Sequence, residues 1–331
     1  LLYLLDLGAN QLNSLDLTNN TVLTDLYISN NQLTSLNLIN NTALAQLQCG
    51  ANQLTSLDLS QNTDLTLLFC FANSFSSLDL SNNISLETLW HSVDNLDLSS
   101  NTALSWLRCN GFELTSLDVS SNTALIDVNI SKNLLTSFDV TNNTALTHLI
   151  NHNGKLTSLD VTENIALMRL VNGGSDLSSA GLDFSKNTAL TSLNLACQLT
   201  SLDVSSNTAL TILYCYSNQL TALDVSANVA LTKLHCYYNQ LTSLDVSSNT
   251  ALTHLHCGAN QFNSLDVSKN TASTNLHCDG NPLTSLDVSS NVALTTLGCR
   301  NNQLTSLDVS NNTALSVLFC QENQLTSLDV S

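Results

Sequence analysis

The chain is 331 residues long, with 26 acidic and 8 basic side chains and a formal net charge of −18. Nucleic acids and anionic membrane surfaces require clustered Lys and Arg, so neither is expected as a partner. At 43% hydrophobic and 10% charged residues the chain is no acidic disordered tail, and no apolar run reaches the roughly 18 residues of a membrane insertion.

From its start the sequence repeats itself, and self-similarity decides the fold before local propensity does. Copies begin at Leu2, Leu23, Leu44, Leu65, Leu86, Leu104, Leu125, Leu146, Leu167, Leu190, Leu210, Leu231, Leu252, Ser273, Leu294 and Leu315. Nearly all of these sixteen copies are 21 residues long; those at Leu86, Leu167 and Leu190 have 18, 23 and 20, and the last stops at Ser331, four residues short. Numbering each copy from its first residue, positions 4 and 6 are apolar while 3 and 5 vary, the period-2 pattern of a short strand with one buried face. One coil cannot bury that face alone, so coils must stack into a continuous core. The second half, L-T-S-L-D-V, also alternates, which predicts a second narrow sheet or an extended ladder as a compact backing, with little helix. With one proline and ten glycines nothing reads as a linker, so residues 1–331 are expected to form a single array.

The pattern L-x-x-L-x-C-x-x-N-x-L-x-x-L-D-V-x-x-N-x-x resembles the leucine-rich repeat family, in particular its short bacterial variety, over the whole chain. The cysteine of that variety at position 6 is matched by Cys49, Cys70, Cys109, Cys215, Cys236, Cys257, Cys278, Cys299 and Cys320. The resemblance implies a mainly β repeat solenoid, an arc or rod of sixteen coils. It also implies a non-catalytic recognition or adhesion module of a bacterial secreted or cell-surface protein, this array being a segment of a longer chain.

Repeat positions become columns of stacked side chains. The cysteine column also admits Ile28, Ile130 and Leu195, so it reads as packing by buried free thiols; parallel neighbours are poorly placed for disulfides, and a file does not give zinc its tetrahedron. Cys197 lies off the column and is the one candidate reactive thiol. Asparagines at positions 9 and 19 suit sharp turns and coil-to-coil ladders. Aspartate fills position 15 in fifteen copies, from Asp16 to Asp329, with Asn37 the exception, so this stripe carries all but −3 of the net charge. Carboxylates stacked one coil apart raise one another's pKa, so hydrogen bonds from nearby Ser, Thr and turn amides are expected to offset the file. Ca²⁺ is the alternative offset, but no glycine-rich calcium loop accompanies the stripe, and no cofactor is assigned. Position 20 is always β-branched, Thr or Ile84, Ile165, Val229 and Val292, which reads as half-buried packing. Together with a threonine file at position 12 (Thr34 to Thr326), it also resembles the ice-binding faces of some solenoids.

Positions 3, 5, 7 and 8 flank the inward residues and are expected to project from the strand sheet, where recognition residues belong. In the later copies they read Tyr214, Tyr216, Lys233, His235, Tyr237, Tyr238, His254, His256 and His277. An earlier cluster combines Phe69, Phe71, Trp90, His91, Trp106 and Arg108 beside the 18-residue copy. Rigid aromatics with His, Lys and Asn hydrogen-bonding groups suit a protein or glycan ligand. The stacked histidines alone make a weak, flat metal site. No Ser/His/Asp set, HExxH or phosphate-cradling glycine loop points to an enzyme. An ice-binding surface and a purely structural spacer are the alternatives. The open ends of such an array expose core and unpaired edges, making end-to-end self-association a further expectation.

Overall fold

The computed structural model describes residues 1–93, 96–111, 114–177 and 181–329; the end of the sixteenth copy, Val330 and Ser331, lies outside the described residues. The chain forms two compact units, Leu1–Leu167 and Met168–Ser331. The first holds eight strands, β1 (Leu4–Asp6) to β8 (His148–Asn151), and the second another eight, β9 (Arg169–Gly173) to β16 (Val317–Phe319). Within each unit every strand pairs in parallel with the next in chain order, apolar residue opposite apolar residue, as Leu26 opposite Leu47 and Leu234 opposite Leu255. Each unit is therefore a β-solenoid, without helix among the described residues.

The core is built from six positions per coil. In the second copy these are Leu23, Leu26, Ile28, Leu33, Leu36 and Leu38, all buried, and coil-on-coil stacking removes from water what no single coil could hide. The backing is the extended alternative: among the described residues positions 10 to 16 form no second sheet. The reason is visible in the hydrogen bonds. One backbone bond per coil crosses here, such as Gln53 N–H to the Leu33 carbonyl at 2.9 Å. The next amide is claimed by a side chain, since Leu33 N–H donates to Asn52 Oδ1 at 3.1 Å.

That asparagine belongs to the position 9 column, which ties three strands of backbone together. Asn52 Nδ2 donates to the carbonyls of Ile28 (3.0 Å) and Cys49 (3.1 Å), one in the preceding coil and one in its own. Position 19 works differently: Asn62 Nδ2 donates to Asn41 (2.8 Å) and Leu38 (3.3 Å) carbonyls of the preceding coil, while its Oδ1 is buried with no hydrogen-bond partner. The same residue N–H bonds to the Leu59 carbonyl at 3.0 Å and its own carbonyl receives Leu65 N–H at 3.2 Å, closing two successive tight turns that lead into the next strand.

At the other end of the strand, position 8 adopts a left-handed backbone. Twelve non-glycine residues sit there or at the equivalent site with φ between 50 and 61°, among them Ala51, Lys132, Ser217, Tyr238 and Glu322. The sharp reversal preserves coil-to-coil bonding, as in Ala51 N–H to the Phe71 carbonyl at 2.8 Å. A side chain at positive φ is disfavoured and glycine is not. Ala51→Gly is therefore expected to raise stability by roughly 0.5–1 kcal/mol, the relief exceeding glycine's extra freedom in the unfolded chain; urea unfolding midpoints measure it, and a lower midpoint contradicts it.

Two column expectations are corrected and one is met. The aspartate file is offset as expected, by hydrogen bonds from the Ser or Thr two residues on, and its carboxyls sit below their ordinary range. Asp58 Oδ1 accepts Ser60 N–H at 2.9 Å and Asp245 Oδ1 accepts Ser247 N–H at 2.9 Å; the Ser247 hydroxyl and then this N–H at Asp245, and the Ser60 N–H and then its hydroxyl at Asp58, hold both carboxyls below the usual range, outweighing the aspartates stacked beside Asp245. Bonds two residues away in the chain thus outweigh repulsion screened by solvent. Position 20 is not half-buried: Ile84 is 61% and Val229 57% exposed, because the residue occupies the outer corner of the double turn. The β-branched file at 20 and the threonines at 12 both lie off the strands, so neither forms the flat sheet face expected of them.

Candidate functional site

In the second unit the outward residues of β11 (Ile212–Tyr214), β12 (Lys233–His235), β13 (His254–His256) and β14 (Asn275–His277), with the position 7 and 8 residues that follow, form one aromatic ribbon. Tyr214 stacks on His235 with ring centroids 4.3 Å apart, and Tyr216 on Tyr237 at 4.8 Å with planes only 2° apart. The third stack is diagonal: Tyr237 lies on His256 at 4.1 Å. His235 meets His256 edge-on at 5.7 Å, and His256 and His277 are tilted at 5.2 Å. The position 5 histidines thus do not form the in-line stack their spacing suggests. Tyr238 packs edge-on to Tyr237 at 5.5 Å but sits on the left-handed turn and is 64% exposed. Lys233 pairs in register with His254, whose ring meets the Thr253 hydroxyl at 2.9 Å.

The ribbon is electrically quiet. Burial, then the neighbouring His277 and His235, depress the His256 pKa to about 4; burial and then His254 and Lys233 lower His235, and burial with Lys233 lowers His254. These three imidazoles are neutral at pH 7, which suits ring-on-ring packing. The ribbon ends at Asp279. Its Oδ2 lies 3.5 Å from His277 Nδ1, and its Oδ1 3.7 Å from Arg300 Nε and 3.1 Å from the Arg300 N–H that it accepts. Burial alone would raise this carboxyl, but the His277 and Arg300 contacts together hold it below its ordinary value.

The earlier cluster occupies β4 (Leu67–Phe69), β5 (Thr88–Trp90) and β6 (Trp106–Arg108) of the first unit. Phe71 stacks on Trp90 at 3.9 Å, Phe69 meets Trp90 and Trp106 at 5.9 Å each, and the Arg108 guanidinium lies 4.4 Å from the Trp106 ring centre, a cation–π arrangement. Trp90 Nε1 and Arg108 Nε are buried without partners. His91 does not join this surface. It occupies position 6, the cysteine column, and is 1% exposed. Among the described residues no three His, Cys, Asp or Glu side chains come together to hold a metal.

Beneath both surfaces runs the cysteine column. All ten cysteines are free, and nine are buried; burial pushes Cys215 and Cys257 up to about 12, which keeps them as inert thiols. Cys197 is no exception and is not the reactive thiol its position suggests. Its Sγ donates to the Asn172 carbonyl at 2.9 Å, and burial raises it to about 11. A solved domain carries the same feature: the functional domain of InlJ from Listeria monocytogenes, which includes a cysteine ladder. It is 34% identical to this chain over 89% of it and 66% of that domain, with a TM-score of 0.81. The chain is a leucine-rich repeat protein.

It spans just under two thirds of that listerial domain's length. A leucine-rich repeat protein of Leptospira interrogans superposes with a TM-score of 0.90 at 23% identity, covering 97% of this chain and 90% of that one. YopM from Yersinia enterocolitica does so at 0.75 and 24%, covering 99% and 75%; these two share the fold. No protein-family model and no curated protein matches the sequence. No helix among the described residues is long and apolar enough to cross a membrane. On the leucine-rich repeat face, sequence reasoning missed Asp279, Arg300, Gly258 and Gly298. A Cβ on Gly298 would meet His277 Nδ1 at 2.5 Å, and one on Gly258 the Asp279 carbonyl oxygen at 2.8 Å. The available signal was glycine interrupting columns that otherwise carry side chains.

Proposed function

We propose that the protein is a non-catalytic recognition module that binds a partner, protein or glycan, through the strand face of its second unit. The observation that carries this is the ribbon: rings in contact across four consecutive coils, with burial keeping His235 and His256 neutral at pH 7. Pre-stacked rings lose little side-chain entropy on binding and offer large rigid contact area. The leucine-rich repeat family, recognition modules in general, supports the same reading, and we propose with it an extracellular or cell-surface location. The test compares the intact chain with a Tyr214→Ser, Tyr216→Ser, His235→Ser variant of unchanged melting temperature. Protein arrays, glycan arrays and cell-surface pull-downs are expected to give signals that the variant loses. Blank results for the intact chain, or signals the variant keeps in full, overturn the reading.

A further inference from the structure

The rings of the ribbon stack on one another, so their faces are mostly spent and their edges look outward. Tyr237 is covered by Tyr216 on one face and His256 on the other. Tyr238 differs: it touches Tyr237 edge-on and is 64% exposed, leaving a ring face free. It stands at the rim of a notch of about 480 Å³.

The notch exists because the position 7 column loses its side chain for one coil. Tyr216 and Tyr237 fill that column, Gly258 empties it, and Asp279 and Arg300 fill it again. The gap is enforced, since any Cβ on Gly258 would press on the Asp279 carbonyl at 2.8 Å. Gly280, at φ 65°, continues the bare floor. One wall is Tyr237 and Tyr238; the other carries Asp279, Arg300, Asn301, Gln321 and Glu322.

That polar wall selects among ligand classes. Asp279 and Glu322 only accept hydrogen bonds, Arg300 only donates, and Asn301 and Gln321 do both. A bare cation would face the Arg300 guanidinium, and a bare anion would face two carboxylates. A neutral ring of vicinal hydroxyls, each both donor and acceptor, can satisfy every group, while its C–H face lies on the Tyr238 ring. The volume lies in the range of small-ligand sites. We propose that the notch binds one neutral sugar residue, so that the partner recognised by the adjoining ribbon is a glycan or glycan-bearing surface. This rests on the recognition reading above and sharpens it.

The experiment is saturation-transfer NMR on the full chain with methyl glycosides of glucose, galactose, mannose, fucose, N-acetylglucosamine and N-acetylgalactosamine. Lysine methyl ester and N-acetylneuraminic acid serve as charged probes. At least one neutral glycoside is expected to bind, and Tyr238→Ser and Gln321→Ala, both at exposed positions, each to weaken it by roughly tenfold. No signal from any neutral sugar, binding of a charged probe alone, or a neutral signal indifferent to both variants overturns the proposal. The ribbon variant separates the two readings. Partner signals lost in it while every sugar is silent sink the sugar site and leave recognition standing. Sugar binding lost in Tyr238→Ser while arrays and pull-downs stay blank does the reverse.

Discussion

Replacing Asn52 with alanine is expected to destabilise the first unit by about 3–5 kcal/mol, a larger loss than truncating most single leucines on its surface would bring. The side chain makes three buried bonds, to the Ile28 carbonyl at 3.0 Å, the Cys49 carbonyl at 3.1 Å and the Leu33 N–H at 3.1 Å. Alanine orphans the Leu33 N–H in a region closed to water, at a cost of about 1–3 kcal/mol, and removes one of two asparagine donors from each carbonyl, about 1 kcal/mol per lost bond, because Ile28 keeps Asn31 Nδ2 at 3.1 Å and Cys49 keeps Asn73 Nδ2 at 3.0 Å. Asn52→Asp is expected to fare no better at pH 7. It keeps an acceptor for Leu33 but turns a carboxylate towards two carbonyl oxygens, a buried and uncompensated charge. The matching change at position 19, Asn62→Ala, removes two donated bonds and also an Oδ1 that has no partner, so its cost is smaller. Urea unfolding of the three variants gives the order. An Asn62 variant less stable than the Asn52 variant would refute the account.

Much of this fold could be read from residues, and the failures have physical reasons. Alternating apolar positions placed the strands correctly because a stacked coil has only one inside, and Leu26 and Ile28 have nowhere else to go. Position 20 misled because β-branching reports a backbone preference as readily as burial: Ile84 and Val229 stand on an outer turn. The offset of the aspartate file was legible because the partner lies two residues away in the chain, in D-x-S and D-x-T, where a local bond outranks a screened neighbour one coil off. The left-handed position 8 was hidden by its occupants, since Ala51, Lys132 and Tyr238 are not glycine. In the site, residue types were legible but contacts were not. Register alone predicts His235 over His256 over His277, whereas side-chain lean puts Tyr237 on His256. Gly258 and Gly298 become meaningful only once the column is known to be crowded on both sides.

His91 should make the first unit sensitive to acid. Its Nδ1 accepts the Val93 N–H at 3.2 Å, so the proton of the neutral ring sits on Nε2, which is buried and has no partner. Protonation would add a second N–H facing Val93 and place a charge among leucines and thiols; burial lowers the pKa from 6.5 to about 4. Between those values the unfolded chain binds a proton that the folded chain refuses. The stability owed to neutral His91 is therefore complete above pH 6.5 and falls as pH drops towards 4, by about 3 kcal/mol in all. His91→Leu is expected to remove this slope, since the column already carries Ile28, Ile130 and Leu195. At pH 7 its stability is expected to change little, because deleting the orphaned Nε2 donor is offset by leaving the buried Val93 N–H without its acceptor. Urea midpoints of both proteins from pH 7 to 4 make the comparison. The half-buried His256, also depressed to about 4, lies in the second unit, so the slope it contributes persists in the variant. A pH dependence in the first unit identical with and without His91, followed through amide exchange in β5, would show that the buried imidazole is not the acid-labile group.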